Sequence, residues 1–183
     1  PERHRGIRAV FDSTWEHLNQ DERDVFLRFS VFKGGCTREA AQTVTGASLL
    51  TLASLAKKSL IQVRHIDGRY QVHELMCQYA ADKLSSDRKT EKSVHEAHGA
   101  FFCTAMAAHK HTFEGGQGHI ADERIKKEFA NIQAAWDWAV RQVNLEQIDQ
   151  SLDALYHFYD WNNQFYEGYI VFKEVDDRLS NMV

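Results

Sequence analysis

The sequence predicts a mostly α-helical protein with one β-hairpin. Apolar residues recur at helical spacing along most of the 183 residues. The spacing changes from 3.6 to 2 around Asp67-Gly68, a dipeptide typical of hairpins. The chain also has 10 glycines and one proline, too few for the frequent turns of an all-β fold. Helices, a hairpin and then a helix follow in the order of a winged helix, and the later residues predict helices alone.

The elements before the hairpin are predicted by helix caps as well as by periodicity. Asn19 and Glu22 form a capping-box variant, in which an Asx side chain precedes a carboxylate by three residues. Thr37 and Ser48 are expected N-caps, and Gly46 is expected to end the helix that follows Thr37. Four helices are predicted before the hairpin: residues 7–18, a helix that begins after Asn19, residues 37–46 and residues 48–58. In the first of them the inward side chains are Ile7, Phe11, Trp15 and Leu18.

The hairpin is predicted to consist of residues 60–66 and 69–72, flanking Asp67-Gly68. Strand alternation puts Tyr70 and Val72 on one face and Arg69 and Gln71 on the other. The helical pattern returns at His73.

The polar stretch Ser85–Lys89 is the predicted boundary between a winged-helix domain over residues 1–85 and a helical arm over residues 86–183. In the arm we expect helices over 90–112, around Ile125–Val140, over 146–161 and over 165–181, with a flexible loop at Glu114–Gly118. Successive helices with short joins are typical of tetratricopeptide-like arrays, which usually need about three repeats. We therefore expect the natural protein to extend beyond both ends of this chain.

Composition and charge exclude several classes of function. No apolar run is long enough to span a membrane, and the first residues do not form a signal peptide. Residues 1–85 carry 12 Lys and Arg against 10 Asp and Glu, whereas residues 86–183 carry 10 against 16. Neither half is the basic surface that nucleic acid requires, so nucleic acid is not an expected partner. Three widely spaced cysteines (Cys36, Cys77 and Cys103) predict reduced thiols and a cytoplasmic location.

No motif in the chain predicts catalysis or a resident metal. Neither a phosphate-binding G-x-x-x-x-G-K-[ST] loop nor a G-x-S-x-G nucleophile turn is present. His95-Glu96-Ala97-His98 is one residue short of the zinc motif H-E-x-x-H, so we expect exposed histidines on a helix surface. The chain is therefore predicted not to be an enzyme by itself.

A DNA-binding winged helix is the alternative interpretation of the first domain. Its recognition helix needs Arg, Lys, Asn or Gln in the N-terminal half to contact base edges. The corresponding segment Ser48–Leu55 offers hydroxyl and apolar groups only, and the hairpin adds Arg64 and Arg69 as candidates for phosphate contacts.

His73 is the candidate site residue, because it lies at a junction between a strand and a helix. Free backbone N–H groups and the helix dipole favour an anion there. The competing interpretation is a histidine that only satisfies a local backbone group or caps the helix.

Several sequence blocks occur in one order and together resemble a known family. They are FDSTWEHL at 11–18, Glu22-Arg23, FSVFKGG at 29–35, LAKKSLI at 55–61, GRYQVHEL at 68–75 with Tyr79-Ala80, EFANIQAAWDWA at 128–139, and Glu167-Gly168. The set resembles the winged-helix domain and helical arm that follow the nucleotide-binding core in bacterial STAND-type ATPases. These are AfsR- and LuxR-like regulators, related to the NB-ARC switches of plant disease-resistance proteins.

The resemblance implies a function for the chain as one segment of such an ATPase. In that family the histidine of the M-H-D motif, here Val72-His73-Glu74, contacts the β-phosphate of ADP and holds the switch closed. His73 is therefore expected to bind nucleotide only together with the parent's core, which would bring ADP or ATP with Mg²⁺. The implied partners are that core, a C-terminal repeat sensor, and a protein partner or oligomer of the parent.

Overall fold

The computed structural model describes residues 12–180 and confirms the predicted fold class, since helices dominate and one two-stranded antiparallel sheet lies between them. The elements are α1 (residues 12–16), α2 (Gln20–Arg28), a 3-10 turn (Phe29–Val31), α3 (Arg38–Thr45), α4 (Leu49–Lys57), β1 (Gln62–Val63), β2 (Tyr70–Gln71), α5 (Glu74–Leu84), α6 (Arg88–Ala107), α7 (Lys110–Glu114), α8 (Gly118–Gln142), α9 (Leu145–Trp161) and α10 (Phe165–Ser180). Ile7 and Phe11, which the sequence predicts to face inward from the first helix, lie outside the described residues.

The chain divides into two compact units, one ending at Val94 and the other beginning at His95, so that the division falls inside α6. The boundary at Ser85–Lys89 stays a prediction. None of the helices in the described part of the chain is long and apolar enough to cross a bilayer.

The predicted caps in the first unit are confirmed. The Asn19 side chain accepts from the Glu22 N–H and the Glu22 carboxylate accepts from the Asn19 N–H, each at 2.9 Å. Thr37 and Ser48 cap α3 and α4 through their hydroxyl oxygens, and Gly46 ends α3 in the left-handed conformation. These caps satisfy backbone groups that the first and last turns of a helix leave without partners.

The core of the first unit is assembled from the inward faces of α2, α4 and α5, together with the 3-10 turn. Its most buried large side chains are Phe26, Phe29, Leu52, Leu55 and Ile61.

The hairpin has shorter strands and a longer loop than the sequence predicts. Val63 pairs with Tyr70, the Arg64 N–H donates to the Arg69 carbonyl at 2.8 Å, and residues 65–68 form the loop. Of Asp67 and Gly68, only Gly68 has positive φ, so the dipeptide is not the two-residue turn that flanking strands would require. In this register Arg69 is buried and donates to the Gly35 carbonyl at 3.0 Å.

The second unit contains the predicted helices, with one correction. The single helix expected over 90–112 is wrong, because α6 ends at Ala107 and the short α7 begins at Lys110. The break allows Phe113 to be buried near the rings of His157 and Trp161, at centroid distances of 6.0 and 6.3 Å. The predicted inward stripe of α8 is confirmed, since Ile132, Ala135, Trp136 and Ala139 are all buried.

Candidate functional site around His73

His73 is the N-cap of α5 and its side chain is exposed. Its Nδ1 accepts a hydrogen bond from the Leu75 backbone N–H at 3.3 Å. In the neutral imidazole one ring nitrogen accepts while the other carries the proton. Because Nδ1 accepts, we assign the proton to Nε2, which makes Nε2–H a hydrogen-bond donor at the positive end of the α5 dipole.

A cavity of about 270 Å³ lies next to this position. The two neighbours of His73 in the chain, Val72 and Glu74, line it together with the glycine loop Gly34-Gly35. The Gly35 backbone has φ +90°, and a Cβ there would meet the Tyr70 carbonyl oxygen at 2.5 Å. Glycine is therefore needed at this position for the loop to approach β2 so closely.

The loop is held against the hairpin by backbone hydrogen bonds. The Cys36 N–H donates to the Tyr70 carbonyl at 2.9 Å, and the Tyr70 N–H donates to the Cys36 carbonyl at 2.8 Å. Cys36 thus lies along one edge of β2 while β1 occupies the other. These bonds join the end of the glycine loop to β2, the strand that leads into His73.

Cys77 also lines this cavity, but its environment does not favour reactivity. Burial raises the pKa of the Cys77 thiol, and its Sγ donates to the Ser30 carbonyl at 3.6 Å. A nucleophilic cysteine needs a lowered pKa, because the thiolate is the reactive form.

The hairpin arginines are engaged within the protein rather than presented to a ligand. Arg69 is buried, so the hypothesis that it contacts phosphate from the hairpin is wrong. Arg64 Nε donates to Asp67 Oδ1 at 2.8 Å, and this hydrogen bond lowers the pKa of the Asp67 carboxyl to about 2. The outward side of α4 presents Leu49 and Leu50. DNA binding by this unit stays the untested alternative interpretation, and the absence of a nucleic-acid partner stays a prediction.

The sequence does not predict a polar cluster that joins α2 to the end of α4. The Glu22 carboxylate accepts from Ser54 Oγ at 2.6 Å and from Lys58 Nζ at 2.6 and 2.8 Å. The sequence does show the two parts of this cluster, the capping box and the Lys57-Lys58 pair. Their separation along the chain does not indicate that α2 and the end of α4 meet.

Two histidines of the second unit, His95 and His98, pack against other side chains. His98 is buried, contrary to the expectation of exposed histidines, and its Nε2 lies 3.4 Å from Asn131 Oδ1. The His95 ring stacks on Trp138 with a centroid distance of 4.2 Å. Within residues 12–180, no group of three or more His, Cys, Asp or Glu side chains is placed to hold a metal ion.

The second unit also exposes large aromatic and aliphatic side chains on α9 and α10. Among them are Tyr156, Trp161, Phe165, Tyr166, Tyr169 and Ile170. Aromatic residues are enriched at protein–protein interfaces, so this surface has the composition of a protein contact.

Comparisons with known proteins give one structural likeness. No family model matches the chain, and no curated protein matches it. Among solved structures it is similar to a Signal Transduction ATPase with Numerous Domains (STAND) protein with a tetratricopeptide repeat sensor, from Pyrococcus horikoshii. The sequence identity is 17% and the TM-score 0.45, and the match covers 94% of this chain and 32% of that chain. The present chain thus spans about a third of that protein's length.

Proposed function

We propose that this chain is the regulatory winged-helix and helical-arm segment of a nucleotide-switched STAND-type ATPase. In this proposal the first unit senses whether ADP is bound to the parent's nucleotide-binding core, and the second unit transmits that state toward a repeat sensor. The ordered sequence blocks support the family, and the geometry of His73 is the observation that carries the role. The parent would act in signal transduction or transcription regulation in the cytoplasm.

His73 fits one contact to a nucleotide phosphate. Its Nδ1 is used by the cap of α5, and this hydrogen bond orients the ring and leaves the proton on Nε2. A donor at a helix N-terminus suits a phosphate oxygen. The capping role and the sensor role are therefore compatible, although the sequence presents them as competing interpretations.

The remaining parts of the nucleotide site belong to the parent. This chain lacks the glycine-rich loop and lysine that hold phosphates and Mg²⁺, so ADP or ATP with Mg²⁺ would be held chiefly by the core. His73 would add a contact made only when the first unit lies against the core. A contact present in one state alone shifts the equilibrium toward that state.

The test is His73→Asn in the full-length parent, since asparagine is a good N-cap but has no ring donor. We expect this chain carrying His73→Asn to melt within a few degrees of the wild type. In the parent, release of a fluorescent ADP analogue should become about ten- to hundredfold faster, the effect of one charge-assisted hydrogen bond. Basal output should rise with it.

His119→Asn is the matched control, because His119 is an exposed histidine of α8. It should leave the ADP release rate unchanged. If His73→Asn also leaves that rate unchanged, His73 has only its capping role and the sensor proposal is wrong.

A further inference from the structure

The exposed side of α9 carries a line of apolar side chains. Leu145, Leu152 and Tyr156 follow one another at i, i+7 and i+11, positions that lie along a single line of a helix. They are 57%, 37% and 55% exposed. The inward face of α9, which includes Leu155 and Phe158, is already buried within the second unit. The helix therefore has apolar surface beyond what the packing of its own unit uses.

Carboxylates follow this line on the neighbouring part of the same helix. Asp149, Asp153 and Asp160 are exposed and are spaced by four and seven residues, so they lie side by side along α9. Glu146 is the fourth acidic residue of the helix, which contains no Lys or Arg. Lys110 of α7 donates to Asp153, whereas the other three carboxylates form no ion pair within residues 12–180. The apolar line thus has an acidic border that is largely uncompensated.

The two lines together specify the chemistry of an occupant. An apolar line with this spacing packs against the apolar line of another helix. The acidic border favours lysine and arginine beside those apolar residues, since interfaces bring opposite charges together. We propose that the exposed side of α9 is a docking surface for a basic amphipathic helix of a partner protein. The apolar side chains of that helix contact Leu145, Leu152 and Tyr156, and its basic side chains face Asp149 and Asp160.

The test uses the full 183-residue chain without nucleotide, because this surface belongs to the second unit and is independent of the proposed phosphate contact. The probe is a fluorescein-labelled, end-capped model helix of about three heptads, which matches the 17 residues of α9. In this Lys helix, Leu occupies the a and d positions and Lys the e and g positions. A Glu helix has Glu in place of Lys, and a rearranged peptide keeps the composition of the Lys helix without its heptad spacing. Fluorescence anisotropy measures the three affinities.

The double variant Leu145→Ala with Tyr156→Ala tests the apolar line. It should weaken binding of the Lys helix about tenfold or more, since two side chains that anchor the contact are truncated. The matched control, Tyr166→Ala with Ile170→Ala, removes an aromatic and an aliphatic side chain that are exposed on α10, and it should bind as the wild type does. All four side chains are at least 50% exposed, so both variants should keep the fold, which circular dichroism checks.

The double variant Asp149→Asn with Asp160→Asn tests the acidic border. It should weaken binding about three- to tenfold and reduce the salt dependence of the affinity, because exposed ion pairs are weak and are screened by salt. The matched control, Glu123→Gln with Asp176→Asn, removes the same net charge from exposed carboxylates of α8 and α10. It should change the affinity by less than about twofold. The Glu helix should bind about tenfold more weakly than the Lys helix.

Four results would overturn the proposal. The first is no binding of the Lys helix at millimolar concentration, and the second is equal binding of the rearranged peptide, which would mean that the apolar spacing is not recognised. The third is an equal loss of affinity in each double variant and its control, which would assign the attraction to the net charge of the second unit. The fourth is self-association of the chain that Leu145→Ala with Tyr156→Ala abolishes, without peptide binding, which would assign the surface to a second copy.

Discussion

Glu22 shows how the surroundings of one residue decide its chemistry. Its side chain is buried, and burial by itself would raise the pKa of the carboxyl. Hydrogen bonds from Lys58, Ser54 and the Asn19 N–H outweigh that effect and lower the pKa from 4.5 to about 2. The carboxylate thus stays charged inside the first unit because each of its oxygens has a donor.

We expect the stability of the first unit to depend on pH through Glu22. Its folded-state pKa is the lower one, so the stabilisation is complete above pH 4.5 and is lost as the pH falls from 4.5 toward 2. Glu22→Gln should lower the free energy of unfolding at pH 7 by about 1–3 kcal/mol, since charged hydrogen bonds are lost. Urea denaturation at a series of pH values measures both effects.

Glu39→Gln is the control for this experiment, because Glu39 is an exposed carboxylate in the first turn of α3. It should change the free energy of unfolding by less than about 0.5 kcal/mol. If the difference between the wild type and Glu22→Gln does not shrink below pH 4.5, the buried cluster does not stabilise the fold in this way.

At the scale of elements, α8 organises the second unit. Its buried stripe of Ile132, Ala135, Trp136 and Ala139 repeats at intervals of three and four residues, as a helix packed along its length requires. Trp136 forms an edge-to-face pair with Phe172 of α10 at a centroid distance of 5.9 Å. Side chains of α9 complete this cluster, since Tyr159 also pairs with Phe172, at 6.2 Å.

Replacing Trp136 with alanine tests this packing. The substitution removes a large buried ring and should lower the free energy of unfolding by about 3–5 kcal/mol. Tyr166→Ala removes an aromatic ring that is exposed on α10 and should have little effect. Thermal melts of the two variants that coincide with each other would contradict this arrangement of α8, α9 and α10.

At the scale of the whole molecule, the two halves of the chain differ in charge and in the surfaces they expose. Residues 1–85 have a small excess of basic residues, and residues 86–183 have six more acidic than basic residues. The first unit presents His73 and the open edge of β1, whereas the second presents aromatic side chains of α9 and α10. The two units therefore expose surfaces of different composition.

The isolated chain should bind neither ADP nor ATP and should have no ATPase activity. One hydrogen-bond donor at His73 gives little affinity without the phosphate loop of a nucleotide-binding core. Isothermal titration calorimetry with Mg²⁺ and either nucleotide should show no heat of binding. A micromolar dissociation constant for ADP would contradict the proposal that this chain is an accessory segment.

Features that depend on neighbouring residues could be predicted from the sequence alone. The capping box at Asn19, the N-caps Thr37 and Ser48, and the end of α3 at Gly46 all rest on hydrogen bonds within one helical turn. The α8 stripe could be predicted for the same reason, since its period is set by the helix itself. The change from strand to helix periodicity also predicted that His73 lies between β2 and α5.

Features that depend on distant residues were decided only by the tertiary structure. In the observed hairpin register Arg69 is buried and bonds the Gly35 carbonyl, a contact across 34 positions. Where α6 ends, Phe113 is buried near Trp161 of α9. Glu22 meets Lys58 across 36 positions, and His98 meets Asn131 across 33. The physical reason is that periodicity shows which face of an element is apolar, whereas burial depends on which other face it meets. Which two faces come into contact depends on how all elements of the unit pack together.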